Sequence, residues 1–88
     1  MKYPYIIIDD NPQAALETQS AFDSFSNYFL LGKADNYDDA VNLVLEHNPK
    51  LIVLEIDPEN KDSRLSLALI NELHRFVKTM PRIVALTQ

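Results

Sequence analysis

Three short apolar runs, each continuous and rich in β-branched residues, constrain the fold more than any other feature of the sequence. They are Tyr5-Ile6-Ile7-Ile8, Leu51-Ile52-Val53-Leu54 and Ile83-Val84-Ala85-Leu86. A strand with one face in water alternates apolar and polar residues, whereas a strand covered on both faces is apolar throughout. The three runs therefore predict strands inside a sheet that is covered by helices on both sides.

Helix patterns separate these runs. Pro12 suits the first turn of a helix capped by Asn11, and Asn36 can cap a second helix that ends at Asn48, just before a proline. A weaker strand at 29–34 lies between these helices, and a third helix follows the polar segment 57–63. The order βαβαβαβ predicts an α/β fold with a parallel sheet and right-handed helical crossovers.

The spacing of apolar residues in each helix predicts which side chains face the sheet. The prediction rests on recurrence at three- and four-residue intervals. The residues are Ala15, Thr18, Phe22 and Phe25 in the first helix; Tyr37, Ala40, Val41, Val44 and, at the margin, Leu45 in the second; and Leu65, Leu69, Leu73 and Phe76 in the third.

Composition narrows the classes of function. The chain has 88 residues, a formal charge of -5 and no cysteine, so we expect one domain over residues 1–88, without disulfides, thiolate zinc sites or cysteine nucleophiles. A cytoplasmic location fits the lack of cysteine. No apolar run approaches the roughly 20 residues of a membrane helix, and no Lys/Arg cluster favours direct binding of nucleic acid. We expect His47 and His74 to be structural or solvent-facing.

Polar side chains follow the predicted strands where the strands end. Asp9 and Asp10 follow the first strand, Glu55 lies near the end of the third, and Thr87 ends the fourth. Parallel sheets bind ligands beyond the carboxyl ends of their strands, so these groups should share one edge. Clustered carboxylates suit Mg²⁺ and a phosphoryl site. Alternatively, the aspartates only cap a helix and Glu55 makes a structural pair.

Five segments of the chain follow one another in a recognisable order. They are Ile6-Ile7-Ile8-Asp9-Asp10-Asn11-Pro12, Leu31-Gly32-Lys33-Ala34, Tyr37-Asp38-Asp39-Ala40, Asn48-Pro49-Lys50-Leu51-Ile52-Val53-Leu54 and Pro81-Arg82-Ile83-Val84-Ala85-Leu86-Thr87. In their order and spacing they resemble the receiver domain of bacterial two-component response regulators, over essentially the whole chain. The resemblance implies a flavodoxin-like, three-layer fold with strand order 2-1-3-4, lacking the family's last helix, strand and helix.

In that family, a Mg²⁺-bound Asp at the end of the third strand accepts a phosphoryl group from a histidine kinase. The resemblance implies that Asp9 and Asp10 are metal-side carboxylates, that Asp57 offers the metal its backbone carbonyl, and that Thr87 is the switch hydroxyl. Glu55 holds the phospho-acceptor position and is a further candidate metal ligand.

Glu55 departs from the family's Asp. Its extra methylene moves the carboxylate by about 1.5 Å, and a misplacement of about 1 Å can cost ~10²-fold in rate. We therefore expect no phosphorylation of Glu55, a fixed charge that partly imitates phosphorylation, and Mg²⁺ binding that is weak or absent. A shifted register with Asp57 as acceptor is the alternative.

These features predict a non-enzymatic receiver module for phosphorelay signal transduction. The expected partners are a histidine kinase or another signalling protein and a second copy of the chain, which would pair through the edge of the fourth strand. Any output, such as DNA-binding transcription regulation, would lie C-terminal to this segment. The alternatives are a protein-interaction or dimerisation domain and, less favoured, a Mg²⁺-dependent phosphatase with Asp9 as nucleophile.

Overall fold

The computed structural model describes residues 2–56, 67–77 and 79–87. Four strands and three helices alternate along them. The strands form one parallel sheet in the order β2-β1-β3-β4. The predicted element order, parallel pairing and strand order are confirmed. The elements are β1 (Tyr3–Ile8), α1 (Pro12–Asp23), β2 (Tyr28–Ala34), α2 (Tyr37–His47), β3 (Leu51–Ile56), α3 (Leu67–Phe76) and β4 (Arg82–Thr87).

The central strand β1 is buried on both faces. Ile6 and Ile8 belong to a core that includes residues of α2 and α3, whereas Tyr5 and Ile7 belong to a second core that includes residues of α1. All four side chains are at most 1% exposed. Because successive side chains of a strand point to opposite faces, each residue of this run enters one core or the other. This explains why the run is apolar throughout.

A β-bulge interrupts the pairing of β1 with β2. Tyr5 lies opposite Leu30 and Ile6 opposite Gly32, so Leu31 is an extra residue in β2. Leu31 packs against the core beneath α2 and α3. A Cβ on Gly32 would lie 3.0 Å from Cδ2 of Leu43 in α2. The bulge thus turns two consecutive residues toward α2, and glycine leaves the space that Leu43 fills.

Three asparagines fix the helix ends, as the sequence predicts. Asn11 Oδ1 accepts hydrogen bonds from the backbone N–H groups of Gln13 and Ala14 at the start of α1. Asn36 Oδ1 accepts one from Asp39 N at the start of α2. Asn48 ends α2 with φ at 47°, in the left-handed region that asparagine tolerates better than most residues.

Three side chains that the helical spacing assigns to the sheet face are exposed instead. Phe25 is 57% exposed, Phe76 56% and Leu45 46%. The assignment of Phe25 is wrong because α1 ends at Asp23, so the helical period no longer directs this side chain. Leu45 and Phe76 line an open groove at the amino-terminal ends of the strands. Leu65 lies outside the described residues.

None of the described helices is both long enough and apolar enough to cross a membrane.

The Tyr5 hydroxyl is buried in an aromatic cluster. The Tyr5 ring stacks on Phe22 at a centroid distance of 4.6 Å and meets Tyr28 edge-on at 6.3 Å. Its hydroxyl has no hydrogen-bond partner among the described residues. Burial, together with the negative charge of Asp23, raises the pKa of Tyr5 above its ordinary value of 10.0. The hydroxyl therefore contributes an unfavourable desolvation free energy to folding.

We predict that Tyr5→Phe increases the free energy of unfolding by about 1 kcal/mol at neutral pH, because it removes an unpaired buried hydroxyl. Above pH 10.0 the unfolded state loses the Tyr5 proton while the folded state retains it. The stability of the wild type should therefore fall more steeply with rising pH than that of Tyr5→Phe. Urea unfolding from pH 7 to pH 11 measures both effects.

Tyr3→Phe is the matched control, since Tyr3 is 37% exposed and can keep its hydroxyl in water. It should leave the free energy of unfolding nearly unchanged at pH 7. A loss of stability in Tyr5→Phe, with no loss in Tyr3→Phe, would show that the buried hydroxyl has a partner.

Candidate functional site

Asp9 is held at the carboxyl end of β1 by its backbone and its side chain. Its N–H donates to the Ala34 carbonyl oxygen at 2.9 Å, which continues the β1–β2 pairing. Its Oδ1 accepts a hydrogen bond from Asn11 N, also at 2.9 Å. The side chain is 5% exposed. Thus Asn11 both caps α1 and fixes the carboxylate that precedes it.

Glu55 lies near the end of the neighbouring strand, next to Asp9 in the register. Ile8 of β1 is opposite Leu54 of β3, so Asp9 and Glu55 are the next residues along two adjacent strands. Glu55 is 8% exposed. Asp9 and Glu55 are the two charged or polar residues that are buried in the described part of the chain. Both lie at the carboxyl edge of the sheet.

The other predicted site residues lie at this edge or outside the described residues. Asp10 is half-buried and follows Asp9 directly. Thr87 ends β4, where it pairs with Ile56, the residue after Glu55. Asp57 lies outside the described residues. The structure thus places Asp9, Asp10, Glu55 and the backbone of Thr87 at one edge of the sheet.

Oxygen donors at this edge suit Mg²⁺, which prefers carboxylate and carbonyl ligands. Within residues 2–56, 67–77 and 79–87, however, no three His, Asp or Glu side chains are grouped closely enough to hold a metal ion. The two buried carboxylates repel each other when both are charged. The described residues therefore supply an acidic edge but not a complete metal site.

A cavity of about 320 Å³ beside Asp9 contains a residue that sequence reasoning missed. Lys33, near the end of β2, lines this cavity together with Asp9 and Asp35. Its Nζ donates to Gln19 Oε1 of α1 at 3.2 Å. The sequence signal that indicates it is its position near the end of β2, because charged or polar residues also lie at the ends of the other three predicted strands.

Both histidines are exposed. His47 is the last residue of α2, and His74 lies in the last turn of α3. Their positions agree with the expectation of solvent-facing side chains.

Comparisons with known proteins find similarity in structure alone. No protein-family model and no curated protein matches the chain. A mutant of the anti-anti-sigma factor PhyR from Bartonella quintana is 20% identical, with a TM-score of 0.81, over 99% of this chain and 34% of that one. A LuxR-family two-component response regulator from Aurantimonas sp. SI85-9A1 is 15% identical, with a TM-score of 0.83, over 99% of this chain and 59% of that one. The response regulator domain of Thermotoga maritima CheB is 21% identical, with a TM-score of 0.75, over 99% of this chain and 61% of that one.

These identities are low, and the likeness therefore establishes the fold. The chain spans about a third of the length of the PhyR chains that it matches. Its four parallel strands in the order β2-β1-β3-β4, with helices on both faces, form the flavodoxin-like fold of response regulator receiver domains.

We predict that Asn11→Ala lowers the free energy of unfolding by about 1 kcal/mol, because two backbone N–H groups of α1 lose their acceptor. Asn11→Ser should retain most of the stability, since serine is also a good N-cap. Urea unfolding of both variants tests the prediction. Equal stability of Asn11→Ala and the wild type would exclude an energetic role for this cap.

Proposed function

We propose that residues 1–88 form a receiver-like signalling domain of the response regulator type, whose acidic edge acts without phosphorylation. The observation that carries the proposal is the pair of buried acidic residues, Asp9 and Glu55, at the carboxyl edge of a receiver fold. Burying charge is costly, and a protein retains it where the charge has a use. We take that use to be the signalling state of this edge.

Glu55 is proposed to hold a permanent negative charge at the phospho-acceptor position. Its carboxylate reaches farther from the strand than that of Asp, toward the space that a phosphoryl group would fill. It carries less charge and fewer acceptor oxygens than a phosphate, so the imitation is partial. Thr87 is the proposed switch hydroxyl that responds to this charge. Asp57, as an acceptor in a shifted register, is the alternative that the experiment below also tests.

We propose weak Mg²⁺ binding through Asp9, Asp10, Glu55 and the backbone carbonyl of Asp57. We expect weak binding because the extra methylene of Glu55 moves its carboxylate away from the position of the family's Asp. When bound, the cation would neutralise the repulsion between carboxylates.

The proposed role is non-catalytic. In a phosphatase of this layered fold, Asp9 would have to attack the substrate. Asp9 is 5% exposed and accepts a hydrogen bond from Asn11 N, so it is poorly placed as a nucleophile.

The proposed partners are proteins. PhyR, which contains a segment of this fold, has been solved in complex with the anti-sigma factor NepR. For the present chain we propose a histidine kinase or another signalling protein as partner. Its charge of -5 opposes direct contact with nucleic acid, and we assign no output activity to these residues.

We predict that Glu55→Asp creates a working phosphoryl pocket that the wild type lacks. Asp would bring the carboxylate back by about 1.5 Å, to the distance at which a receiver accepts a phosphoryl group. Backbone amide NMR during titration with Mg²⁺ and beryllofluoride is the measurement. The variant should give saturable shifts at Asp9, Asp10 and Thr87 that need both additives, whereas the wild type should give none.

Glu55→Gln is the control, because it retains the size of the side chain and removes its charge. It should not respond to beryllofluoride. A wild-type response as strong as that of Glu55→Asp would contradict phosphorylation-independence and would favour Asp57 as acceptor. No response from a folded Glu55→Asp variant would contradict the receiver proposal itself.

We also propose a homodimer formed through β4. This strand is at the end of the sheet, and its Val84 is 39% exposed. An edge strand offers backbone N–H and C=O groups to a strand of another chain, and an apolar surface beside it strengthens such pairing.

We predict that Val84→Lys weakens this dimer about tenfold, equivalent to about 1.4 kcal/mol, because a lysine on an edge strand opposes pairing. Sedimentation velocity over a range of concentrations measures the association. Leu16→Lys is the control, since Leu16 is 50% exposed on α1. A wild-type chain that stays monomeric at every concentration would overturn the dimer.

A further inference from the structure

An open groove runs along the edge of the sheet opposite the acidic residues. Its volume is about 1140 Å³. The first residue of each strand lines it, and the C-terminal ends of α2 and α3 form one of its walls. The four strand residues are Tyr3, Tyr28, Leu51 and Arg82, and the helix residues include Val44, Leu45 and Phe76.

The groove combines apolar and polar surface. Val44 and Leu51 are buried beneath it, whereas Leu45 and Phe76 are exposed at its rim. In the described part of the chain, seven large hydrophobic side chains are exposed, and Tyr3, Leu45 and Phe76 all line this one groove. Exposed apolar side chains gathered around a concave surface are typical of a binding site.

The charge of the groove is opposite to that of the whole protein. Among the described residues, its lining includes Lys50 and Arg82 but no Asp or Glu, in a chain with a net charge of -5. Arg82 N donates to the Lys50 carbonyl oxygen at 3.0 Å, which holds the two residues at adjacent strand starts. Neither side chain forms an ion pair with a described residue. Since neighbouring like charges are unfavourable, an anionic group bound near both would be stabilising.

The size of the groove matches a short helix. Four strands about 4.8 Å apart span about 14 Å, which is the length of roughly nine residues of α-helix.

We propose that this groove docks an amphipathic α-helix of a partner protein. The helix lies across the strand starts, with an apolar stripe against Leu45 and Phe76 and with Asp or Glu beside Lys50 and Arg82. Apolar anchors at i, i+3, i+4 and i+7 fit such a groove. The proposal does not depend on the state of Glu55 and extends the chain's interactions to a second, separate surface.

The test uses three fluorescein-labelled helical peptides of 14 residues. Each carries Leu at i, i+3, i+4 and i+7 and Glu beside this apolar stripe, and the three differ in where the Glu residues lie relative to the Leu residues. Fluorescence anisotropy measures affinity for the wild-type chain, and amide NMR shifts locate the site. We expect saturable binding with shifts at Tyr3, Leu45, Lys50, Phe76 and Arg82. Peptides with Lys in place of Glu should bind at least about tenfold more weakly.

Matched variants distinguish binding in this groove from nonspecific hydrophobic binding elsewhere on the surface. Leu45→Ser should weaken binding about tenfold. Leu16→Ser should leave it unchanged, since Leu16 is a helical leucine of similar exposure (50% against 46%) that does not line the groove. The double variant Lys50→Gln, Arg82→Gln should weaken binding and flatten its dependence on salt. Arg75→Gln is the control for charge and should leave binding unchanged, since Arg75 is exposed on α3 and does not line the groove.

Three results would each overturn the proposal. One is a folded wild-type chain that binds none of the peptides. Another is equal affinity for the Glu and Lys peptides. The third is a set of concentration-dependent shifts at Tyr3, Leu45 and Phe76 in the absence of any peptide, which would mean that a second copy of the chain occupies the groove. Arg82 is left out of this criterion because it also belongs to β4, the proposed dimer edge.

Discussion

The structure depends on the parallel pairing of β1 with β2 on one side and with β3 on the other. Parallel neighbours cannot be joined by a tight turn, so a helix must cross over the sheet between successive strands. One crossover, α1, packs on one face, and α2 and α3 pack on the other. The same parallel arrangement brings all four carboxyl ends to one edge. The burial of β1 and the location of the acidic residues are therefore consequences of one pairing pattern.

Much of this arrangement could be predicted from the sequence, because the deciding residues act locally. A continuous apolar run indicates a strand covered on both faces, and the prolines and asparagines fix the helix ends through their own backbone preferences. The exposure of Leu45 and Phe76 could not be predicted in this way. Helical spacing tells which side of a helix is apolar, but the point at which the sheet beneath it ends is a tertiary property.

At the acidic edge, too, single residues can be predicted from the sequence, whereas their arrangement in space cannot. Asp9 can be predicted as a site residue because it directly follows an apolar run, and Glu55 because it lies near the end of another. Their adjacency depends on the register between β1 and β3, which places Ile8 opposite Leu54. No residue of either strand specifies that register alone. Lys33 lies near the polar end of β2 in the sequence, but its place beside Asp9 likewise depends on pairing, because the bulge shifts the end of β2.

That bulge bears on how the length of this chain could vary among relatives. Leu31 is the extra residue, and every other position of β2 has a partner on β1 from Tyr3 to Ile8. Loss of Leu31 alone would keep each of those pairs and would remove only the packing of the Leu31 side chain against the core. Loss of Leu30 gives the same sequence, whereas loss of any other residue of β2 would move part of the strand to the wrong face. A single-residue deletion inside β2 is thus tolerable only at this pair of leucines, and sequences aligned to this one should show their gap there.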